Sequence, residues 1–125
     1  MKALLLVAHG SKRPATRDEI EALTLHVKAE LGDAYDAVAF AFLQWAAPSI
    51  PDQLGALIAN GATRIVVLPY LLATGSHVAA DIPEALGACR DQHPEVTITL
   101  LPHIGLAAGM TGVIAEHATA GHTAG

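Results

Sequence analysis

Two histidines follow apolar segments of the kind that form buried strands. His9 comes directly after the apolar run at 3–8, and His77 follows a second run at 64–70 after a short loop. In an open parallel sheet, ligands bind beyond the carboxyl ends of the strands. Imidazole is a common ligand of divalent transition metals. Two imidazoles that reach this edge from different strands could therefore hold one metal ion.

Each histidine, taken alone, also has a simpler explanation. His9 could be a polar strand end bonded to the backbone, and His77 could form a cap-like hydrogen bond at a helix N-terminus. A phosphohistidine site of the phosphoglycerate mutase type requires an arginine before the histidine, where this chain has Ala8. Ser11 and Ser76 lack the Gly-x-Ser-x-Gly setting of a hydrolase nucleophile. The sequence contains no Walker or Gly-x-Gly-x-x-Gly loop, which disfavours nucleotides.

Three further residues are predicted at the same edge. Gly10 lets the backbone approach a ligand closely, and the amides that follow it can point at an anion. Gln44 ends the second predicted strand, and its amide can hydrogen-bond but is a poor metal ligand and no base. His103 ends the fourth predicted strand and is a candidate third imidazole.

The loop after the third predicted strand is apolar. It contains Leu71, Leu72 and Ala73 and then reaches Gly75 and Ser76. Binding pockets for small molecules are lined mainly by apolar side chains. We therefore expect this loop to line a pocket for a flat, apolar ligand.

An alternation of strands and helices must position these residues. Short apolar runs alternate with longer segments of helical spacing, which predicts an α/β fold: a single domain with a four-stranded, mainly parallel sheet and helices on both faces. The predicted strands are 2–8, 35–43, 64–68 and 96–101. The predicted helices are 14–31, 49–60, 78–92 and 106–117. The domain is expected to span 1–118, and 119–125 is expected to be a disordered tail.

Composition limits the class of protein. Apolar residues make up 52% of the 125 residues, which is enough for a core and for contact with a second subunit. No apolar stretch reaches the roughly 18–20 residues of a membrane span, and the N-terminal run is too short for a signal peptide. The one cysteine, Cys89, cannot form an intrachain disulfide, which favours a cytoplasmic location. The net charge of −5 disfavours nucleic acid as a partner.

Three longer segments contain most of these residues. They are Leu-Leu-Val-Ala-His-Gly-Ser-Lys-Arg at 5–13, Phe-Leu-Gln-Trp-Ala-Ala-Pro-Ser-Ile at 42–50, and Val-Val-Leu-Pro-Tyr-Leu-Leu-Ala-Thr-Gly-Ser-His-Val-Ala-Ala-Asp-Ile-Pro at 66–83. Through them, residues 1–105 resemble the short sirohydrochlorin chelatases of the CbiX/SirB type. The resemblance implies a chelatase-like fold and an enzyme of the lyase class that inserts a divalent metal into sirohydrochlorin, in cobalamin or sirohaem biosynthesis.

The resemblance also implies roles for particular residues. The family's two metal-binding histidines correspond to His9 and His77, which would also be the catalytic residues. The metal is the substrate, cobalt first and iron or nickel otherwise, with no further cofactor, and short members of the family are homodimers. The carboxylates of the tetrapyrrole are expected to pair with Lys12, Arg13 and Arg17. The residues expected to contact the tetrapyrrole are Gly10, Ser11, Lys12, Arg13, Gln44, Leu71, Leu72, Gly75 and Ser76. Because both imidazoles must be unprotonated to bind metal, activity is expected to fall below about pH 6.

One position departs from the family pattern. The family usually has a glutamate where this chain has Gln44. Metal insertion releases two pyrrole protons, and a neutral amide cannot accept them. Three interpretations remain open: His9 or His77 is the base, the activity is reduced, or the protein binds a tetrapyrrole or metal without catalysis. His103 is a candidate substitute for the missing carboxylate.

Overall fold

A central parallel strand organises the sheet. In the computed structural model, β1 (Lys2–Ala8) pairs in parallel with β2 (Ala37–Phe42) on one side and with β3 (Arg64–Pro69) on the other. β4 (Thr97–Leu100) pairs in parallel with β3, which gives the strand order β2-β1-β3-β4. The structure describes residues 1–124, apart from the side chains at 77 and 121–124.

Four helices connect or follow these strands: α1 (Pro14–Leu31), α2 (Ile50–Ala59), α3 (Ser76–Gln92) and α4 (Met110–Ala124). Short 3-10 turns occupy Gly32–Ala34 and Ile104–Leu106. The predicted α/β architecture, with a four-stranded parallel sheet, is confirmed. In the described part of the chain, no helix is long and apolar enough to cross a membrane.

Successive side chains of β1 point to opposite faces of the sheet, and helices cover both faces. Ala3, Leu5 and Val7 are fully buried in the main core, which also contains side chains of α2 and α3. Ala8 belongs to a second, smaller cluster with Ile20 of α1. Side chains of a strand point alternately to its two faces, so a strand that is apolar at every position is buried on both. The strand ends next to His9 are therefore fixed by packing on two sides.

The main differences from the predicted elements lie at the C-terminal end. The last helix begins at Met110 instead of 106, because the chain first forms the 3-10 turn Ile104–Leu106. In that turn Gly105 donates its N–H to the carbonyl of Leu71 at 3.1 Å. A Cβ at Gly105 would lie 1.8 Å from the carbonyl oxygen of Leu72, so the two segments meet through a glycine.

The predicted tail also differs from the structure. Residues 119–124 continue α4 instead of leaving the helix after His117. Alanine is the strongest helix former, and α4 contains several alanines. Thr119 adds a hydrogen bond from its hydroxyl to the carbonyl of Ala115, four residues earlier. Gly125 lies outside the described residues.

Candidate functional site

The ends of β1 and β2 bring His9 beside Gln44. The ladder between the two strands continues past β2, with the N–H of Leu43 donating to the carbonyl of Ala8 at 3.0 Å. The N–H of Gln44 then donates to the carbonyl of His9 at 3.1 Å. Both side chains are exposed at this edge. The predicted neighbourhood of these two residues is thus present in the structure.

Gly10 allows this close approach. Its φ is +98°, a conformation that side-chain-bearing residues rarely adopt. A Cβ at this position would lie 1.8 Å from the backbone oxygen of Gln44. The glycine is therefore required by the backbone at the strand ends.

A cleft of about 530 Å³ opens at this edge. Strand ends supply one wall, through His9, Leu43 and Gln44, and the first turns of α3 supply the other. The second wall consists of Gly75, Ser76, Val78 and Asp81. Four residues predicted from the sequence, at positions 9, 44, 75 and 76, therefore line one cavity.

His77 is placed by its backbone alone. It is the second residue of α3, between Ser76 and Val78, and both of these line the cleft. The side chain of His77 lies outside the described residues, so its role as a metal ligand stays a prediction. Among the side chains that the structure does describe, no three histidine, cysteine, aspartate or glutamate groups are placed to hold one ion.

The predicted basic residues lie around a neighbouring cleft of about 350 Å³. The ammonium of Lys12 is 4.4 Å from the ring centre of Trp45, a cation–π contact. Arg17 donates from Nε to the carbonyl of Ala47 at 3.2 Å, and its guanidinium is 5.5 Å from the ring centre of Phe40. Arg17 is thus held against the protein. Ser11 and Arg13 also line this cleft, and the Ser11 hydroxyl accepts the N–H of Arg13 at 3.1 Å.

The two leucines of the β3–α3 loop have different surroundings. Leu71 belongs to the main core, whereas Leu72 is 74% exposed. Both were expected to contact a ligand. The side chain of Leu71 packs in the core, and its carbonyl accepts the N–H of Gly105, so the loop is held to the protein at this residue. Neither leucine is among the residues that line the cleft of His9, and only Leu72 has an exposed side chain.

His103 lies apart from the cleft of His9. It is half-buried and lines another, largely apolar cleft of about 340 Å³ with Leu68, Leu101 and Leu106. It follows β4, and β3 separates β4 from β1 in the sheet. His103 is therefore not among the residues that line the cleft of His9, and its role as a third imidazole at the metal stays a prediction.

Sequence reasoning missed two residues at this edge. Trp45 is 61% exposed and has a φ of +71°, which places its ring beside Lys12. Asp81 lines the cleft that contains His9. The spacing of four residues between His77 and Asp81 is a signal for Asp81 only if both lie in one helix. The predicted helix 78–92 leaves His77 out, whereas α3 includes both residues. No comparable spacing signals Trp45.

Known proteins with a similar sequence or fold form a consistent group. The CbiX family model matches residues 3–120. A sirohydrochlorin cobaltochelatase of Saccharolobus solfataricus is 36% identical over 111 residues, which are 84% of this chain and 84% of the relative.

Two solved structures extend the similarity to the fold. A CbiX protein from Marinobacter aquaeolei VT8 aligns with a TM-score of 0.83 at 23% identity, over 100% of both chains. The sirohydrochlorin chelatase SirB from Bacillus subtilis subspecies spizizenii, solved in complex with cobalt, aligns with a TM-score of 0.82 at 28% identity. That alignment covers 94% of this chain and 50% of the SirB chain. This chain therefore corresponds to half of SirB.

Proposed function

The chain belongs to the CbiX family, and from this premise we infer that it is a sirohydrochlorin chelatase, a lyase that inserts a divalent metal ion into sirohydrochlorin. The observation that carries this function is the cleft between the strand ends and α3, which His9 lines together with Ser76 and its neighbour Gln44. Its position matches the general rule that ligands bind at the carboxyl edge of a parallel sheet.

We assign the incoming metal, which is a substrate, to the imidazoles at positions 9 and 77. His9 is exposed in the cleft, and position 77 lies between two residues that line the same cleft. A site with few protein ligands leaves coordination positions open, so pyrrole nitrogens can replace weakly held ligands. We expect cobalt first, as in the names of the relatives, although imidazole also suits iron and nickel. We propose no further cofactor.

We place the tetrapyrrole across the two neighbouring clefts. Its core would lie over His9 and Gln44, where Gly10 keeps the backbone close, and Gly75 and Ser76 would lie against one side. The exposed Leu72 of the preceding loop would be a further contact. Its peripheral carboxylates would reach the basic cleft, where Lys12 and Arg13 are exposed. Charge-assisted hydrogen bonds of this kind are the strong ones. Ser11, which follows Gly10, and Trp45, which follows Gln44, both line the basic cleft.

We also propose a homodimer in the cytoplasm. Helix α4 makes its most extensive contacts with the 3-10 turn before it, and Val113 and Ile114 are exposed by 52% and 62%. Exposed apolar side chains that cluster on one element mark interaction surfaces. Since this chain aligns with half of SirB, a second copy would supply the other half. Cys89, the one cysteine, has no intrachain partner for a disulfide, which supports a reducing compartment.

The function is tested by an anaerobic absorbance assay with sirohydrochlorin and Co²⁺. We expect many turnovers per protein molecule, faster than insertion without protein, and a loss of this rate in His9→Ala. A spectral change limited to one equivalent of protein, with no turnover, would contradict catalysis and indicate a tetrapyrrole or metal carrier. The names of the relatives do not favour a carrier.

A further inference from the structure

Metal insertion needs a proton acceptor in the cleft. Sirohydrochlorin gives up two N–H protons as one M²⁺ enters, so the total charge is balanced. A carboxylate takes such protons well, whereas the amide of Gln44 has no site for them. The carboxylate must therefore come from elsewhere in the site, or the imidazoles that hold the metal must also accept protons.

The structure places a carboxylate in this cleft. Asp81 lies on α3 and lines the same cavity as His9 and Gln44. It is one helical turn after position 77, and residues four apart share a face of a helix. The ends of two strands and the side of α3 thus bring Asp81 to the edge where the metal is expected.

The carboxylate of Asp81 is available to a ligand. Its side chain is exposed at the cleft, and it takes part in none of the hydrogen bonds or ion pairs among the described side chains. A hydrogen bond or a nearby cation that favours the charged form makes a carboxylate a weaker proton acceptor. Asp36 is a contrasting case, because its Oδ2 accepts the backbone N–H of Lys2 at 2.8 Å.

A neighbouring carboxylate provides a contrast. Glu84 lies three residues later on α3 and lines an adjoining cleft of about 400 Å³, which does not include His9. Asp81 lines both clefts. Of the described carboxylates, Asp81 is the one found among the residues that line the His9 cavity.

We propose that Asp81 is the proton acceptor of metal insertion and supplies the carboxylate that position 44 lacks. The proposal rests on the chelatase function inferred above. For each pyrrole N–H, the N–H bond breaks, the proton moves to a carboxylate oxygen of Asp81, and the nitrogen lone pair forms a bond to the metal. The carboxylic acid then passes its proton to water, and the step is repeated for the second N–H.

The test compares two isosteric substitutions on the same helix. Asp81→Asn keeps the shape and removes the acceptor, and Glu84→Gln makes the same change outside the His9 cavity. At saturating Co²⁺, we expect kcat of Asp81→Asn to fall about 100-fold, the usual size of a general-base effect. The KM for sirohydrochlorin should change less than about twofold, because the group acts in the transition state. Glu84→Gln should stay within about twofold of wild type, since it is outside the reacting site.

A second variant separates a chemical role from a structural one. The double variant Asp81→Asn, Gln44→Glu has a carboxylate at another position that lines the same cleft. We expect its kcat to be at least about tenfold higher than that of Asp81→Asn. A merely structural defect would not be repaired there. Thermal unfolding of each variant, followed by circular dichroism, checks that the fold is retained.

Four outcomes overturn the proposal. Wild-type kcat in Asp81→Asn would show that another group accepts the protons. An equal loss in Glu84→Gln, or no recovery in the double variant, would show that the loss arises from helix charge or folding. Absence of turnover in the wild-type protein would instead overturn the chelatase function itself, and the inference with it.

Discussion

The α-carbon of Gly10 lies so close to the carbonyl of Gln44 that a Cβ on Gly10 would stand 1.8 Å from the carbonyl oxygen. The same glycine has a φ of +98°. The turn after β1 and the segment after β2 therefore depend on each other. This contact holds Gln44, which departs from the family pattern, beside His9, which is expected to bind metal.

Gly10→Ala should destabilise the protein and disturb the site together. The left-handed backbone and the clash with Gln44 should lower the free energy of unfolding by at least about 2 kcal/mol. Gly55→Ala is the matched control, because a Cβ there meets nothing within 4 Å in the interior of α2. It should raise stability by about 0.5–1 kcal/mol. Urea denaturation gives the free energy of unfolding of both variants. Equal stabilities of Gly10→Ala and Gly55→Ala would contradict the requirement for glycine at position 10.

His9 and His103 should differ in metal binding. We expect His9→Ala to weaken Co²⁺ binding at least about tenfold, since even the loss of an outer-shell partner of a metal costs that much. His103→Ala should leave Co²⁺ affinity unchanged, because His103 lines a different cleft beyond β4. Isothermal titration calorimetry gives both dissociation constants. A similar loss in the two variants would mean that a second subunit brings His103 to the metal.

The strand ends of this fold could be predicted because each strand carries a strong local signal. The apolar run before His9 is buried on both faces, and Gln44 follows from the register of β2 on β1. The carboxyl ends of parallel strands lie at one edge of the sheet, where ligands bind, so residues that follow adjacent strands, such as His9 and Gln44, are expected to be neighbours. The rule does not give the order of the strands, so it could not show that β3 lies between β1 and β4, the strand that His103 follows.

Other features depend on tertiary contacts that a sequence does not display. Leu71 is as apolar as Leu72, but Leu71 packs in the core and Leu72 is exposed, and residue type does not distinguish them. Trp45 adopts a positive φ that its residue type disfavours. The position of Asp81 four residues after His77 is readable from the sequence. That Asp81 lines the same cleft as His9 and Gln44 is known only from the structure.

Lys12 should contribute to substrate binding and little to chemistry. Lys12→Gln removes an exposed charge and its contact with Trp45. We expect the KM for sirohydrochlorin to rise about two- to fivefold with kcat unchanged, because the loss of one exposed ion pair weakens binding by about this factor. Lys2→Gln is the control with the same charge change. Lys2 lies at the opposite end of β1, over the ring of Tyr35. A rise in KM for both variants would indicate a general charge effect instead of a carboxylate site.

Cys89 should be unreactive in the folded protein. Burial raises the pKa of its thiol, which disfavours the thiolate that reacts with disulfide reagents. We expect reaction with Ellman's reagent on the order of a hundredfold slower than in urea. Because the folded pKa lies above the unfolded value of about 8.5, the stability linked to this thiol is full below that pH and is lost as pH rises through the folded pKa. The free energies of unfolding of the wild type and of Cys89→Ala, measured at pH 7 and 9.5, test this pH dependence. We expect the wild type to lose stability relative to Cys89→Ala as the pH rises. A relative gain of the wild type would contradict the raised pKa.

A charge on α4 should separate the subunits without unfolding them. Ile114 is 62% exposed in the single chain, so Ile114→Glu should change monomer stability by less than about 0.5 kcal/mol. In a dimer that buries α4, the same carboxylate would lie unpaired in an apolar interface, which is costly. Leu25→Glu is the control, because Leu25 of α1 is 66% exposed and lies on another helix. Light scattering after size-exclusion chromatography should show a dimer for the wild type and Leu25→Glu, and a monomer for Ile114→Glu. A dimer in all three would place the interface away from α4, and a monomer in all three would contradict the homodimer.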